Sequence, residues 1–233
     1  MFSDSHAHLY LEKDLRKMID NCKKCNVGLF LNTAVDIESS EIIAKTTDKK
    51  NNIFGVLGIS PDFSSSQIDR ISNLESILST AVAIGEIGLD TKIDAPIEIQ
   101  KRCFEKQLEI AQKNKLPVVI HSRGALSLVE KTLEELSIEK AMFHFFEGNE
   151  DDAKRLEKKG YLISIPPLDY SRYNRVIKAV EITTLVCETD FPAVGATPCD
   201  VLKTIEKIAK IKNKEITFTG ELITQTIKAY FEI

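Results

Sequence analysis

The residues MFSDSHAH, at positions 1–8, decide between two α/β folds. The run has the length of a short strand, and it ends in two histidines. A doubly wound nucleotide-binding sheet would instead carry a glycine-rich turn after its first strand. Similar apolar or β-branched runs recur along the whole chain, which indicates a set of short, buried strands. The predicted strands are 1–8, 27–35, 53–59, 81–89, 116–121, 140–146, 160–165 and 184–189.

Stretches with helical spacing separate these runs. Val129 and Leu133, for example, fall on one face of a helix after the fifth run. Pro96 is predicted as the first residue of the preceding helix, and Asp200 and Thr219 as the N-caps of the last two. Eight strand–helix units of about 29 residues fit a closed parallel barrel at the compact end of its size range. We therefore predict an α/β protein with a single (β/α)8 TIM-barrel domain over residues 1–233.

Composition excludes several classes of protein. Hydrophobic residues make up 43% and charged residues 28% of the 233 residues, which excludes disorder as the main state. The net charge of −4 argues against a globally basic nucleic-acid binder. The N-terminus lacks the pattern of a secretory signal, and no run is long enough for a membrane helix. Five scattered cysteines are interpreted as reduced thiols. We expect a cytoplasmic protein with no membrane and no obligate protein partner.

The strongest functional signal is the position of the four histidines. Each lies at or near the C-terminal end of a predicted strand, and two carboxylates occupy comparable places. Active sites of such barrels are built on that face. Any one of these residues has an ordinary structural explanation, but six in one barrel register indicate a site. The six are His6, His8, Glu86, His121, His144 and Asp190.

The spacing of the first three is suited to metal binding. Side chains alternate along a strand, so His6 and His8 point to the same face and can chelate one divalent ion. Glu86 shares its parity with Val82 and Ile84, which predicts that it points into the barrel. A carboxylate there can bridge two ions through its two oxygens.

The remaining candidates end later strands. His121 and His144 can hold a second ion, while Asp190 ends the eighth strand, beside the first strand of a closed barrel. Asp190 can bind the first ion and also accept a proton from attacking water. Two ions about 4 Å apart stabilise both the attacking and the leaving oxygen of a displacement. Glu188 is either a hydrogen-bond partner of a ligand or a paired carboxylate lower in the barrel.

Five segments, taken together, resemble those of the TatD-related deoxyribonucleases, a family within the amidohydrolase-like metal-dependent hydrolases. They occur in the family's order and at its spacing, and they span most of the chain. They are DSHAHL (4–9), IGEIGLD (84–90), PVVIHSR (117–123), FHFFEG (143–148) and ETDFP (188–192).

The resemblance implies a TIM barrel that binds two divalent ions, with Mg²⁺, Mn²⁺ or Zn²⁺ as candidates. Carried over by position, His6, His8, Glu86 and Asp190 would bind one ion, and Glu86, His121 and His144 the other. Asp190 and Glu86 are the expected catalytic residues, and Arg123 the expected contact to substrate phosphate. The implied activity is hydrolysis of DNA, of the 3′-to-5′ exonuclease type, on single-stranded or frayed 3′ ends.

The chain departs from the family pattern at the expected substrate rim. Ser60 stands where the family often has a histidine, Thr91 where it often has a tyrosine, and Gly124 and Phe191 also differ. All the expected metal ligands are present, so metal binding is better supported than DNA as the substrate. The alternatives are a dimetal hydrolase of a small amide or lactone, and a non-catalytic barrel that uses the site for binding.

Overall fold

A computed structural model describes residues 1–233 of the chain. Its eight strands form one parallel sheet in the order β1 to β8. The two ends of the sheet meet through a parallel bridge between Ala7 and Phe191, and the N–H of His8 donates to the carbonyl of Phe191 at 2.8 Å. The strands are β1 (Phe2–Ala7), β2 (Val27–Thr33), β3 (Ile53–Leu57), β4 (Ala81–Asp90), β5 (Val118–Arg123), β6 (Ala141–Phe143), β7 (Leu162–Ile165) and β8 (Leu185–Cys187).

Helices follow the strands around the outside of the barrel. The two long final helices succeed β8, and α10 packs against β1, which covers the place where the sheet closes. The helices are α1 (Leu15–Lys24), α2 (Ile37–Thr46), α3 (Ser64–Gln67), α4 (Ile71–Glu75), α5 (Ile97–Asn114), α6 (Leu126–Glu135), α7 (Glu150–Lys158), α8 (Ser171–Ala179), α9 (Val201–Lys212) and α10 (Ile216–Phe231). This architecture confirms the predicted TIM barrel.

The strand sequences are apolar runs because helices cover one face of the sheet and the barrel interior covers the other. Every residue of β1, β2 and β3 is buried. The predicted helix face is also correct, since Val129 and Leu133 of α6 are fully buried. All five cysteines are free, and none of the helices is long and apolar enough to cross a membrane.

Two predicted helix starts are wrong, and at the third Asp200 has the predicted N-cap position of α9 but does not cap the helix through its side chain. Pro96 is the residue before α5 and not its first helical residue. Asp200 precedes α9, but its carboxylate accepts from the N–H groups of Ala196 and Thr197 and so does not cap the helix. Thr219 is a buried residue inside α10, because that helix begins three residues earlier, at Ile216. A local capping preference therefore does not fix a helix boundary to the residue.

Candidate metal centre

The structure brings all six candidate residues together at the C-terminal mouth of the barrel. The first group of facing atoms comes from the end of β1, from Glu86 of β4 and from the segment after β8. His6 Nε2 lies 3.3 Å from Glu86 Oε2 and 3.7 Å from Asp190 Oδ1. His8 Nε2 lies 3.3 Å from the same Asp190 oxygen. Donors that share one ion at about 2.1 Å lie about 3 to 4 Å apart, so these atoms have the spacing of one coordination sphere.

The second group uses the other oxygen of Glu86. His121 Nδ1 lies 2.8 Å from Glu86 Oε1, and His144 Nε2 lies 3.2 Å from it. The two imidazole nitrogens are 3.1 Å apart. Glu86 therefore turns one carboxylate oxygen towards each group, which is the arrangement of a bridging ligand.

The His8 ring has the hydrogen-bonding pattern of a metal ligand. His8 Nδ1 is 2.8 Å from the carbonyl oxygen of Thr33, so it donates there and leaves Nε2 with a free lone pair towards Glu86 and Asp190. His6 is fully buried, and neither of its ring nitrogens has a hydrogen-bond partner. An unpartnered buried imidazole is costly in a protein interior. A cation at this position would satisfy it, so the residues fit a metal ion.

Burial and mutual contacts shift the pKa values of this cluster. Burial lowers the pKa of His6 to about 4, which favours the neutral imidazole that a metal requires. Burial would raise the pKa of Glu86, but His144, His121 and His6 lower it more and hold it well below its ordinary value. For Asp190, too, burial is outweighed by the contacts with His8, His6 and His144, and its pKa is lowered. The cluster therefore keeps two ionised carboxylates in a buried position, where a cation is attracted.

Local backbone geometry places these side chains. Asp190 lies three residues beyond β8 with a left-handed φ of 48°, and its N–H donates to the carbonyl of His6 at 2.9 Å. The preceding Thr189 is held by the buried Asp4, whose carboxylate accepts from the backbone N–H and the hydroxyl of Thr189. Asp4 thus joins β1 to the segment that presents Asp190. Nothing in the spacing of the sequence indicates this link.

Asp90 is the last residue of the segment IGEIGLD (84–90), and its contact with a candidate ligand is not evident from the sequence. His121 Nε2 lies 3.1 Å from Asp90 Oδ2, and the Asp90 side chain is almost entirely buried. This contact fixes the His121 ring with Nδ1 towards Glu86. A carboxylate behind a histidine ligand is a common feature of metal sites. The signal available was the position of Asp90 at the end of β4, beside the strand that carries His121.

Glu188 lies behind His144. Its Oε1 accepts from the N–H of Phe145 at 2.7 Å, and it is 3.8 Å from His144 Nδ1, which is too long for a direct hydrogen bond. Burial raises the pKa of Glu188 to about 7. Glu188 therefore supports the backbone next to His144. It makes no direct hydrogen bond to this candidate ligand, and it lies within ion-pair distance of His144, so neither predicted role is met in full.

A cleft of about 600 Å³ lies over the centre, and its walls include Arg123, Phe145, Tyr170 and Arg172 as well as His121, His144 and Asp190. The Arg123 side chain is 54% exposed, and its Nη1 is 3.9 Å from Asp90 Oδ2, so its guanidinium is largely available to a ligand. Ser60 is different: it is only 3% exposed and is not among the residues that line this cleft. Its place at the substrate rim stays a prediction.

A barrel of this topology, with facing imidazoles and carboxylates at its C-terminal mouth, defines a metal-dependent hydrolase. Comparison with known protein families shows which family of metal-dependent hydrolases the chain belongs to. Residues 3–232 match the family described as TatD related DNase, and the chain belongs to that family.

Relatives and solved structures agree with this assignment. The chain is 32% identical to an uncharacterized metal-dependent hydrolase of Haemophilus influenzae over 212 residues, covering 82% of this chain and 81% of that protein. It is 27% identical to Deoxyribonuclease TATDN3 of Homo sapiens, covering 98% and 93% respectively. The crystal structure of YJJV, a TatD homologue from Escherichia coli, superposes with a TM-score of 0.91 at 22% identity, covering 100% of this chain and 98% of that one.

Proposed function

We propose that this protein is a two-metal phosphodiesterase that hydrolyses DNA from single-stranded or frayed 3′ ends. The observation that carries the proposal is the orientation of Glu86, which faces two separate sets of donors with its two oxygens. A single ion would need only one of these sets.

Each candidate ligand has a definite place in the proposal. One ion would be held by His6, His8, Asp190 and Glu86, and the other by Glu86, His121 and His144. Divalent ions in such a pair supply positive charge that stabilises the attacking and leaving oxygens of a displacement. Imidazole-rich ligation is compatible with Mn²⁺ or Zn²⁺, and the carboxylates and the substrate phosphate with Mg²⁺.

The chain's own residues supply the remaining steps. Asp190 turns Oδ1 towards His6 and His8, and its lowered pKa keeps it ionised, so its carboxylate can accept the proton of the attacking water. Arg123 lines the cleft with a guanidinium whose two N–H edges match phosphate oxygens. Asp90 holds the His121 ring, and Asp4 holds the segment that carries Asp190.

DNA as the substrate is supported by the names of relatives such as the human deoxyribonuclease and by the two arginines in the cleft wall. A cleft of this size accepts a strand end more readily than an intact duplex. Metals also offset the acidic balance of the chain, which would otherwise repel a polyanion.

The proposal is tested with short single-stranded oligonucleotides labelled at the 5′ or the 3′ end, incubated with protein dialysed against a chelator. Added Mg²⁺, Mn²⁺ or Zn²⁺ should restore hydrolysis, and a 5′-labelled strand should shorten progressively from its 3′ end. Full activity after thorough chelation contradicts the metal mechanism. Metal-dependent hydrolysis of a neutral amide or lactone without cleavage of DNA would replace the proposed substrate with the small-molecule alternative.

A further inference from the structure

The loop after β7 forms one wall of the cleft over the metal centre. Its neighbours β6 and β8 lead to His144 and Asp190, whereas none of the six candidate metal ligands follows β7. The loop instead ends in Tyr170, the residue before α8, and both Tyr170 and Arg172 line the cleft together with His144 and Asp190. Tyr170 and Arg172 therefore lie beside the candidate metal centre, at the junction of α8 with a loop that contributes none of the six candidate ligands.

Tyr170 presents an aromatic face at this wall. It is 51% exposed, although a single exposed aromatic residue has little meaning by itself. Its ring, however, is stacked on that of Tyr173, with the centroids 6.0 Å apart and the planes at 25°. Tyr173 is fully buried in α8, so the exposed ring rests on a rigid support.

The guanidinium of Arg172 contacts both tyrosine rings. Its guanidinium carbon lies 5.4 Å from the Tyr170 centroid and 4.9 Å from the Tyr173 centroid, within the range of cation–π contacts. Its Nη2 also donates to the Tyr173 hydroxyl at 3.1 Å, and no carboxylate lies within ion-pair distance of it. Arg172 therefore brings a positive charge without an ion pair to the cleft wall next to the Tyr170 ring, in a cleft that the Glu147 carboxylate also lines.

We propose that Tyr170 is a stacking platform for a nucleobase next to the scissile phosphate, with Arg172 holding the ring and adding positive charge along the strand. The inference rests on the proposed function and extends it, because it assigns the substrate class: a strand end that carries a base, not a small phosphate ester. Stacking on an aromatic ring is open to every base, so the platform favours single-stranded nucleic acid without sequence preference.

The test combines a change in the protein with a change in the substrate. Tyr170→Ala and Tyr170→Phe are assayed on a single-stranded oligonucleotide and on the same strand with abasic residues at its 3′ end. Phe218→Ala is the matched control, because Phe218 is 53% exposed but lies in the first turn of α10 and does not line the cleft. Thermal unfolding confirms that each variant is folded.

Stacking predicts that Tyr170→Ala raises KM for the normal strand by about 5-fold or more, with kcat changed less. The abasic strand should show no difference between the parent and Tyr170→Ala, and Tyr170→Phe and Phe218→Ala should match the parent on both strands. Equal KM values for the parent and Tyr170→Ala on the normal strand overturn the inference, as does the same increase on both strands. A parent protein that cleaves neither strand contradicts the proposed function itself.

Discussion

Removal of the Arg123 guanidinium should weaken hydrolysis of DNA far more than removal of the Ser60 hydroxyl. Arg123 lines the cleft, and the nearest carboxylate oxygen, of Asp90, is 3.9 Å from it. A charge-assisted contact to phosphate is worth about 1.5 to 3 kcal/mol. Because the Arg123 side chain is 54% exposed, solvent screening places the contact near the lower limit. About 1.5 kcal/mol corresponds to a loss of roughly 10-fold in kcat/KM for Arg123→Ala.

Ser60→Ala should leave kcat/KM within about twofold of the parent, because the Ser60 side chain is buried and lies outside the cleft. Arg123→Lys is the intermediate case, since it keeps the charge but loses the two-pronged geometry. The assay is steady-state cleavage of a short single-stranded oligonucleotide at constant ionic strength.

Urea unfolding provides the stability control. The long, exposed contact to Asp90 is worth at most about 1 kcal/mol, so Arg123→Ala should unfold almost as the parent does. Unchanged cleavage of DNA by Arg123→Ala would refute the phosphate contact. A loss of stability equal to the loss of activity would instead assign Arg123 to bracing the loop between β5 and α6.

Two further predictions concern the centre and its support. Asp190→Asn keeps the shape of the side chain but removes its charge. It should reduce turnover by roughly 100-fold or more, while thermal unfolding stays close to that of the parent. A near-normal rate excludes Asp190 as the base. Gly88→Ala should lower the free energy of unfolding by about 3 kcal/mol or more, because a Cβ there would stand 1.9 Å from the carbonyl oxygen of His121 at a φ of +144°. The matched Gly160→Ala, with φ of +75° and no atom within 4 Å, should cost only about 1 to 2 kcal/mol in urea unfolding; equal losses for the two variants contradict the close approach at His121.

The barrel could be predicted because its buried parallel strands leave a strong mark in the sequence. Apolar runs and the alternation with helical stretches are local features, and each histidine lies at or near the C-terminal end of its strand. The helix starts were less predictable, since α5 begins one residue after Pro96, the Asp200 carboxylate accepts from the nearby N–H groups of Ala196 and Thr197, and Thr219 lies inside α10.

Parts of the centre depend on contacts that spacing cannot reveal. The parity argument predicted that Glu86 faces the barrel, but the register of β4 with β5 shifts between Ile84 and Ile87, so simple alternation does not hold there. Asp90 meets His121 only once the two strands are paired. Tyr170 and Arg172 carry no motif at all, and their position over the centre follows from the order of the strands alone.

Counting the ions bound per chain tests whether Glu86 bridges two ions. Protein freed of metal is dialysed against Mn²⁺, and the bound metal is counted by elemental analysis for the parent and for a His121→Ala/His144→Ala variant, in which only Glu86 remains of the second donor set. A bridging Glu86 predicts two ions per chain in the parent and one in the variant. One ion per chain in both proteins would contradict the bridging role of Glu86.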